Sequence, residues 1–200
     1  MIDRYLLPLL QRLFDPPARW LAQRKISADS VTLLGFAIGV LAVPLLATEQ
    51  YTAALIVILL NRLCDGLDGA LARRTQPTDR GAFLDIALDF VFYACIPLGF
   101  ALADPPHNAL AAAVLLFAFM GTASSFLAFS AIAARRGMAS SSYPTKGIYY
   151  LGGLTEGFET IALFVALCLW PSAFPVLAYI FAALCGLTTV TRWWWGWRSF

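Results

Sequence analysis

The chain has 200 residues, of which 60% are hydrophobic and only 13% are charged, with a formal net charge of +2 at pH 7. Soluble domains have about a quarter of their residues charged, so this composition excludes a soluble globular protein and indicates an integral membrane protein. The near-neutral net charge argues against a nucleic-acid partner.

The first predicted element is an amphipathic helix over residues 2–14 that lies in the plane of the membrane interface. Its apolar residues recur at helical spacing, and its charged residues occupy other positions. Pro16 and Pro17 are predicted to end this helix, and a second short amphipathic piece around Trp20 leads to the first membrane span. Residues 1–25 are therefore predicted to form a cytoplasmic juxtamembrane segment.

Six apolar segments follow, each long enough as a helix to cross about 30 Å of hydrocarbon. The segments are predicted at residues 31–48, 52–72, 82–103, 108–134, 148–170 and 173–191. The predicted fold class is therefore all-α, a polytopic membrane protein with six transmembrane helices preceded by the interfacial helix. Residues 1–200 are predicted to form a single membrane domain whose six-helix core covers residues 31–191.

The basic residues predict the orientation of these spans. All 14 lysine and arginine residues lie before span one, at the junction of spans two and three, between spans four and five, or after span six. Because cytoplasmic loops are enriched in basic residues, both termini and the junction of spans two and three are predicted to be cytoplasmic.

Four aspartates cluster at the junction of spans two and three. Asp65 and Asp68 are three residues apart, and Asp85 and Asp89 are four apart, so each pair lies on one face of its helix. The two helices are antiparallel, which brings the pairs to the same depth. Carboxylates near a bilayer are costly unless they pair, face water or bind cations, and Mg²⁺ takes oxygen ligands of this kind. We therefore expect the cluster to hold one or two divalent cations.

The residues next to these aspartates have the features of a diphosphate site. Gly66 and Gly69 flank Asp68 and leave room for a ligand to approach the helix backbone, although glycines at such spacing also permit tight helix packing. Arg73 lies one turn further along and can bind phosphate through its planar guanidinium group.

Two other interpretations of the aspartates are open. They could form a buried ion-pair network with the arginines nearby, Arg62, Arg73, Arg74 and Arg80. They could also be the ion site of a membrane cation transporter or channel. A transporter needs acids distributed across the membrane, whereas the acids within the predicted spans all lie in the cytoplasmic half. The chain also has no internal repeat of the kind that many transporters have. These facts favour an enzyme.

The pattern of residues resembles the signature of the CDP-alcohol phosphotransferase (CDP-alcohol phosphatidyltransferase) family, D-x-x-D-G-x-x-A-R followed by G-x-x-x-D-x-x-x-D. The chain has each fixed residue of this signature, with a spacer one residue shorter than usual: Asp65, Asp68, Gly69, Ala72, Arg73, Gly81, Asp85 and Asp89. The resemblance implies an enzyme of phospholipid biosynthesis in a bacterial inner membrane. It would transfer a phosphatidyl group from a CDP-linked lipid, of the CDP-diacylglycerol type, to a small alcohol or alcohol phosphate and release CMP.

The resemblance also implies a cofactor and residue roles. The cofactor would be Mg²⁺ or Mn²⁺, with two ions bound by the four aspartates, and Asp89 would in addition be the general base. The residues implied for the CDP moiety are Gly66, Gly69, Arg73, Thr78 and Gly81. A family element at the start of span one corresponds to residues 28–32, where Thr32 matches and Asp29 is a second nucleotide candidate. Thr32 could instead hydrogen-bond to its own helix backbone. The resemblance also allows a homodimer.

Candidates for the acceptor site lie between spans four and five. Three basic residues there are topogenic by default, but one of them could bind an acceptor phosphate: Arg135, Arg136 and Lys146. Glu156 and Glu159 either face the acceptor pocket or form a charge pair or a polar helix start. Glycerol 3-phosphate, inositol phosphate, serine and ethanolamine-like alcohols all agree with these features as acceptors.

Overall fold

The computed structural model of the chain describes the backbone of residues 3–138 and 153–200 and the side chains of residues 13–138 and 153–200. The regular elements within these ranges are all helices, which confirms the predicted all-α fold. The α-helices are α1 (Asp3–Gln23), α2 (Ala28–Val40), α3 (Ala42–Ala47), α4 (Tyr51–Arg74), α5 (Asp79–Ala103), α6 (Pro105–Arg135), α7 (Gly157–Leu169) and α8 (Phe174–Ser199), with a short 3-10 helix at Pro171–Ala173.

Four helical segments among the described residues are long and apolar enough to cross a membrane. They are Ala28–Ala47, which joins α2 and α3, together with Asp79–Ala103, Pro105–Arg135 and Pro171–Ser199. The second predicted span is α4, which has 24 residues but contains five charged ones. The predicted span at 148–170 begins outside the described residues, and its described helix, α7, begins only at Gly157 and has 13 residues. The count of six spans therefore stays a prediction.

The first helix differs from its prediction. α1 continues through Pro16 and Pro17, so the prediction that these prolines end the helix is wrong. Each proline removes a backbone donor and disfavours a helix interior, but contacts with α4 hold α1 on both sides of the pair. Phe14 lies against Gly66 before the prolines, and Ala18 is fully buried after them.

An exposed ion pair adds to this contact between α1 and α4. The Nε atom of Arg74 donates a hydrogen bond to Asp15 Oδ1 at 2.8 Å. This hydrogen bond lowers the pKa of Asp15 below its ordinary value of 3.8. The side chains of residues 3–12 lie outside the described set, so the interfacial, amphipathic character of this helix stays a prediction.

Two apolar clusters contact α4 at different heights, and a polar stretch of the helix lies between them. The larger cluster contains Ile58 from α4, Phe92 and Phe100 from α5 and Phe164 from α7, with further residues of α3, α6 and α8. The smaller one contains Ala18, Val31, Ala70 and Leu71. Because Asn61, Arg62, Asp65 and Asp68 fall between Ile58 and Ala70, the two clusters hold the polar middle of α4 in place from both ends.

Large apolar side chains cover much of the outer surface. Leu110, Phe117 and Met120 on α6 are 71%, 81% and 68% exposed in the isolated chain. Such a surface is unfavourable in water and suits contact with lipid.

Candidate active site

One pocket collects the aspartates predicted from the sequence. Its walls come from α2, α4 and α5. The lining residues are Thr32, Gly35, Phe36, Asn61, Arg62, Asp65, Asp68, Asp85, Leu88 and Asp89. All four aspartates therefore share one pocket, as expected for facing pairs on two adjacent antiparallel helices.

Three of the four carboxylates converge. Oxygen atoms of Asp65, Asp68 and Asp85 lie within 4.8 Å of one another. Asp68 is buried, with 5% of its surface exposed, whereas Asp85 is open to the exterior. Several negative charges this close repel one another unless a cation lies between them. An all-oxygen ligand set that is partly open suits Mg²⁺ or Mn²⁺, so the residues fit a divalent ion.

Thr32 connects α2 to this carboxylate group. Its hydroxyl donates to Asp68 Oδ2 at 2.5 Å and lies 3.1 Å from the carbonyl oxygen of Ala28. The predicted backbone contact is therefore present, but the hydroxyl has one proton, and the shorter contact is the one to Asp68. Thr32 orients a candidate metal ligand.

Asp89 has a different partner from the other three aspartates. Its Oδ1 atom accepts a hydrogen bond from Arg62 Nη2 at 2.7 Å. The Nη1 atom of Arg62 lies 3.7 Å from Asp65 Oδ2. The ion-pair interpretation of the aspartates thus holds for Arg62 alone among the four arginines considered, because Arg74 pairs with Asp15 and Arg80 with Asp29.

The sequence analysis included Arg62 only as one of four arginines that could pair with the aspartates, although a signal specific to Arg62 was present. An arginine in the apolar part of α4, one turn before Asp65, lies on the same helical face as that aspartate. The sequence shows only the contact within α4. The contact with Asp89 depends on how α4 and α5 pack together.

The first turns of α2 and α5 bring three predicted nucleotide residues together. Thr78 is the N-cap of α5 and accepts a hydrogen bond from the backbone N–H of Gly81 at 3.0 Å. Asp29 accepts a hydrogen bond from Arg80 Nε at 2.7 Å. A Cβ atom on Gly81 would lie 3.1 Å from Asp29 Oδ1 and 3.2 Å from Thr78 Oγ1. Glycine thus permits the two polar side chains to lie close to the α5 backbone.

The two glycines beside Asp68 have different surroundings. A Cβ atom on Gly66 would lie 2.5 Å from Phe14 Cε2, so this glycine permits close packing of α1 on α4. This contact supports the helix-packing alternative for Gly66, and its role toward a nucleotide stays a prediction. A Cβ atom on Gly69 would lie 3.4 Å from Arg73 Nη1. The exposed Arg73 side chain therefore lies against Gly69, the residue after Asp68.

The described basic acceptor candidates, Arg135 and Arg136, are not among the residues that line the carboxylate pocket. Arg136, at the end of α6, donates hydrogen bonds to the carbonyl oxygens of Ser199 and Phe200 at 3.2 and 2.8 Å, and Arg135 is exposed. Lys146 lies outside the described residues.

Glu156 and Glu159 form a capping box at the start of α7. The Glu156 side chain accepts from the backbone of Glu159, and the backbone N–H of Glu156 donates to Glu159 Oε2 at 3.1 Å. The polar-helix-start interpretation is therefore confirmed. Neither glutamate is among the residues that line the carboxylate pocket, so their role toward an acceptor stays a prediction.

The burial of an arginine on α8 was not predicted from the sequence. Arg192 on α8 is 8% exposed, and its Nη1 atom donates to the carbonyl oxygen of Thr122 on α6 at 3.0 Å. Its guanidinium carbon lies 5.6 Å from the ring centroid of Phe126. In the sequence, Arg192 precedes a run of tryptophans and resembles a residue that only sets the membrane orientation. Packing instead places its side chain between α6 and α8.

Comparison with known proteins identifies the family. The model of the CDP-alcohol phosphatidyltransferase family matches residues 25–195. The inner membrane protein YnjF of Escherichia coli (strain K12) is 59% identical over 199 residues, which cover 100% of this chain and 97% of that protein. The phosphatidylinositol phosphate synthase of Streptomyces avermitilis is 39% identical over 122 residues, 58% of this chain and 50% of that protein.

Solved structures agree with the family match. The crystal structure of Mycobacterium tuberculosis phosphatidylinositol phosphate synthase with CDP-DAG bound has a TM-score of 0.75 and 25% identity, and it covers 93% of this chain and 94% of that one. The same enzyme in complex with manganese and citrate has a TM-score of 0.73 and 26% identity, with 92% and 88% covered. The prediction from the sequence signature is thus confirmed: the chain belongs to the CDP-alcohol phosphatidyltransferase family and is a membrane transferase of phospholipid biosynthesis.

Proposed function

We propose that the protein transfers a phosphatidyl group from a CDP-linked lipid of the CDP-diacylglycerol type to a small alcohol and releases CMP, in a reaction that needs Mg²⁺ or Mn²⁺. The convergence of Asp65, Asp68 and Asp85 within 4.8 Å carries this proposal. The structural relatives support it, because one was crystallised with CDP-DAG and one with manganese.

The CDP group of the donor would lie along the first turns of α2 and α5. Helix N-termini favour anions through their free N–H groups and the helix dipole. Thr78, Gly81 and Asp29 are neighbours there. Arg73, beside Gly69, would bind a phosphate of the donor through its guanidinium fork. Thr32 would contribute to donor binding indirectly, by holding the side chain of Asp68 in position.

The chemical step needs a base for the acceptor and a counter-charge for the leaving group. A divalent ion held by Asp65, Asp68 and Asp85, when bound, would stabilise the negative charge that develops on the CMP phosphate. Asp89 would accept the proton of the acceptor hydroxyl while that oxygen forms a bond to the lipid-linked phosphorus. The bond from this phosphorus to the CMP oxygen breaks, and Arg73 neutralises the departing phosphate.

We propose a phosphorylated polyol of the inositol phosphate kind as the acceptor. Relatives named phosphatidylinositol phosphate synthase and archaetidylinositol phosphate synthase support it. Arg135, Arg136 and Lys146 would supply positive charge for its phosphate. Glycerol 3-phosphate, serine and ethanolamine are the comparison acceptors.

The membrane arrangement is part of the proposal. The E. coli relative is named an inner membrane protein, and we propose the same membrane here, with six spans in one domain, a homodimeric assembly, and the pocket and both termini in the cytoplasm. Reporter fusions at the termini and near Met138 should then give a cytoplasmic signal. Fusions near Glu49, His107 and Pro171 should give the opposite one. A cytoplasmic signal at His107 would contradict the topology.

The activity is tested by measuring CMP release from CDP-diacylglycerol by the purified protein. Each acceptor is supplied separately, with Mn²⁺, with Mg²⁺ and with a chelator. We expect release that needs a divalent ion and is fastest with inositol phosphate. Release with glycerol 3-phosphate alone would correct the acceptor but not the enzyme class. Absence of release with every acceptor, together with ion flux through reconstituted vesicles, would favour a transporter.

A further inference from the structure

The carboxylate pocket contains a fixed positive charge of its own. Arg62 lines the pocket with the four aspartates, and its side chain is 14% exposed. It makes a 2.7 Å ion pair with Asp89 and lies 3.7 Å from Asp65. The guanidinium group thus contacts both Asp65, one of the three converging carboxylates, and Asp89, which lies next to them.

The guanidinium group of Arg62 also has partners that are not carboxylates. Its Nε atom donates to Asn61 Oδ1 at 2.7 Å, and its Nη1 atom donates to Tyr93 Oη at 3.3 Å. Its central carbon lies 4.6 Å from the ring centroid of the fully buried Phe92. Asn61 is buried and donates in turn to the carbonyl oxygen of Gly35 at 2.9 Å. Because Asn61, Tyr93 and Phe92 all contact the guanidinium group, the position of Arg62 does not depend on Asp89 alone.

Among the described residues, Arg74 and Arg80 also pair with aspartates, and both side chains are more exposed than that of Arg62. The Arg80 side chain, which binds Asp29, is 78% exposed. Arg74 binds Asp15 at the surface between α1 and α4. Solvent-exposed pairs of this kind contribute little, whereas a buried arginine interacts strongly with its neighbours. Arg62 is therefore a fixed structural part of the carboxylate pocket.

We propose that Arg62 is an internal counter-cation, which competes with the divalent ion for Asp89 and Asp65 and keeps the carboxylates in place when no ion is bound. The proposal deepens the proposed function and rests on its metal site. An ion that enters the pocket meets the repulsion of the guanidinium group and must share carboxylates with it. Arg62 thus lowers the affinity of the pocket for metal and makes the bound ion easier to exchange.

The direction of the effect distinguishes this role from simple structural support. If Arg62 only held the pocket together, its loss would weaken metal binding. If it competes, its loss strengthens binding. Coulomb's law for a unit and a divalent charge a few ångströms apart gives an effect of about tenfold or more in affinity even at high dielectric.

The test is a Mn²⁺ titration of the detergent-purified protein, with free Mn²⁺ measured by electron paramagnetic resonance. We expect R62Q to bind Mn²⁺ about tenfold more tightly than the wild type. R62K should fall between the two, because a lysine keeps the charge but cannot bind Asp89 and Asn61 together. R74Q is the matched control, since it removes an arginine paired with an aspartate outside the pocket, and it should bind as the wild type does.

A second measurement uses thermal unfolding without metal. R62Q should unfold at a lower temperature than the wild type in a chelator, because Asp89 and Asp65 lose the positive charge of Arg62, and Mn²⁺ should raise its Tm by more than it raises that of the wild type. Unchanged or weaker Mn²⁺ binding in R62Q would overturn the inference while leaving the metal site intact. If R62Q cannot be purified, R62K decides, and binding equal to or weaker than that of the wild type overturns the inference.

The two proposals fail in different ways. A wild type that binds no Mn²⁺ would overturn both the metal site and the role of Arg62. A wild type that binds Mn²⁺ but releases no CMP would overturn the proposed activity alone, and the order of Mn²⁺ affinities would still decide the role of Arg62.

Discussion

The first five helices use their polar side chains differently from the described part of the last three. Several polar side chains in α1 to α5 pair with side chains far away in the sequence. These pairs are Thr32 with Asp68, Arg62 with Asp89, Arg80 with Asp29 and Arg74 with Asp15. Each of them joins two helices and places a carboxylate.

Many polar side chains of the later helices bind backbone atoms instead. Thr160 donates to the carbonyl oxygen of Glu156, Thr189 to that of Cys185, and Arg192 to that of Thr122. The two threonine bonds lie within one helix each, and only the Arg192 bond joins two helices. These bonds satisfy buried groups, but they place no cluster of charged groups. The comparison indicates that the early helices position the carboxylates of the candidate pocket, and that the described later helices contribute packing.

The largest expected effect comes from the most buried carboxylate of the early helices. Asp68→Asn should abolish CMP release, because it removes a candidate metal ligand that Thr32 holds in place, and losses in such a cluster are steep and non-additive. D65A and D85A should behave in the same way. Activity is measured with Mn²⁺ after membrane insertion is verified. Asp104→Asn, at the N-cap of α6, is the control, and near-normal activity in D68N would contradict the site.

Substitution of Asp89 tests whether lipid binding and the chemical step depend on different residues of the same pocket. Asp89→Asn should lower turnover by roughly two to four orders of magnitude, the usual scale for a general base. It should retain binding of the CDP-lipid better than Asp68→Asn does, because Asp89 lies beside the converging set. Single-turnover rates and lipid binding are measured on both variants. Near-normal turnover would place the base elsewhere, with Glu156 or Glu159 as the next candidates.

Glu156 tests whether the later helices have only a supporting role. Glu156→Ala removes the capping box of α7 and should lower stability by about 0.5–2 kcal/mol, the usual range for an N-cap. The KM for the acceptor should stay unchanged. Glu159→Gln, which keeps an oxygen for the Glu156 N–H, should have a smaller effect on Tm. A higher KM with an unchanged Tm would instead assign Glu156 to the acceptor site.

The smallest effect is expected at the surface pair of Asp15 and Arg74. The hydrogen bond from Arg74 lowers the pKa of Asp15 in the folded state below the ordinary value of 3.8. The contribution of the pair is therefore present above pH 3.8 and is lost as the pH falls through the lowered folded-state pKa. The Tm of Asp15→Asn should be slightly below that of the wild type near neutral pH. A difference in Tm that persisted below the folded-state pKa of Asp15 would show that the effect does not come from the charge of Asp15.

The sequence predicts those features of the fold and the site that depend on local spacing. The apolar segments gave most of the helices, because a run of apolar residues has few alternatives in lipid. The spacing of Asp65, Asp68, Asp85 and Asp89 predicted a shared pocket, because helical periodicity determines which residues lie on one face.

Features that depend on contacts between helices were not predicted. Gly66 has the same neighbours in sequence whether a ligand or Phe14 lies against it, and only the packing of α1 distinguishes the two. Pro16 and Pro17 are unfavourable in an isolated helix, and contacts with α4 override that preference. The partner of Arg62 is on another helix, 27 residues further along the chain.

The charges of α4 have a consequence for how the protein enters the membrane during synthesis. The helix carries five charged residues and is not among the four segments apolar enough to cross alone. A charged residue at the centre of an inserting helix costs about 2.5–3.5 kcal/mol. Arg62 gains the carboxylate of Asp89 only once α5 has been synthesised. We therefore expect α4 and α5 to insert together as a hairpin, and a nascent chain that ends before α5 to leave α4 outside the bilayer core.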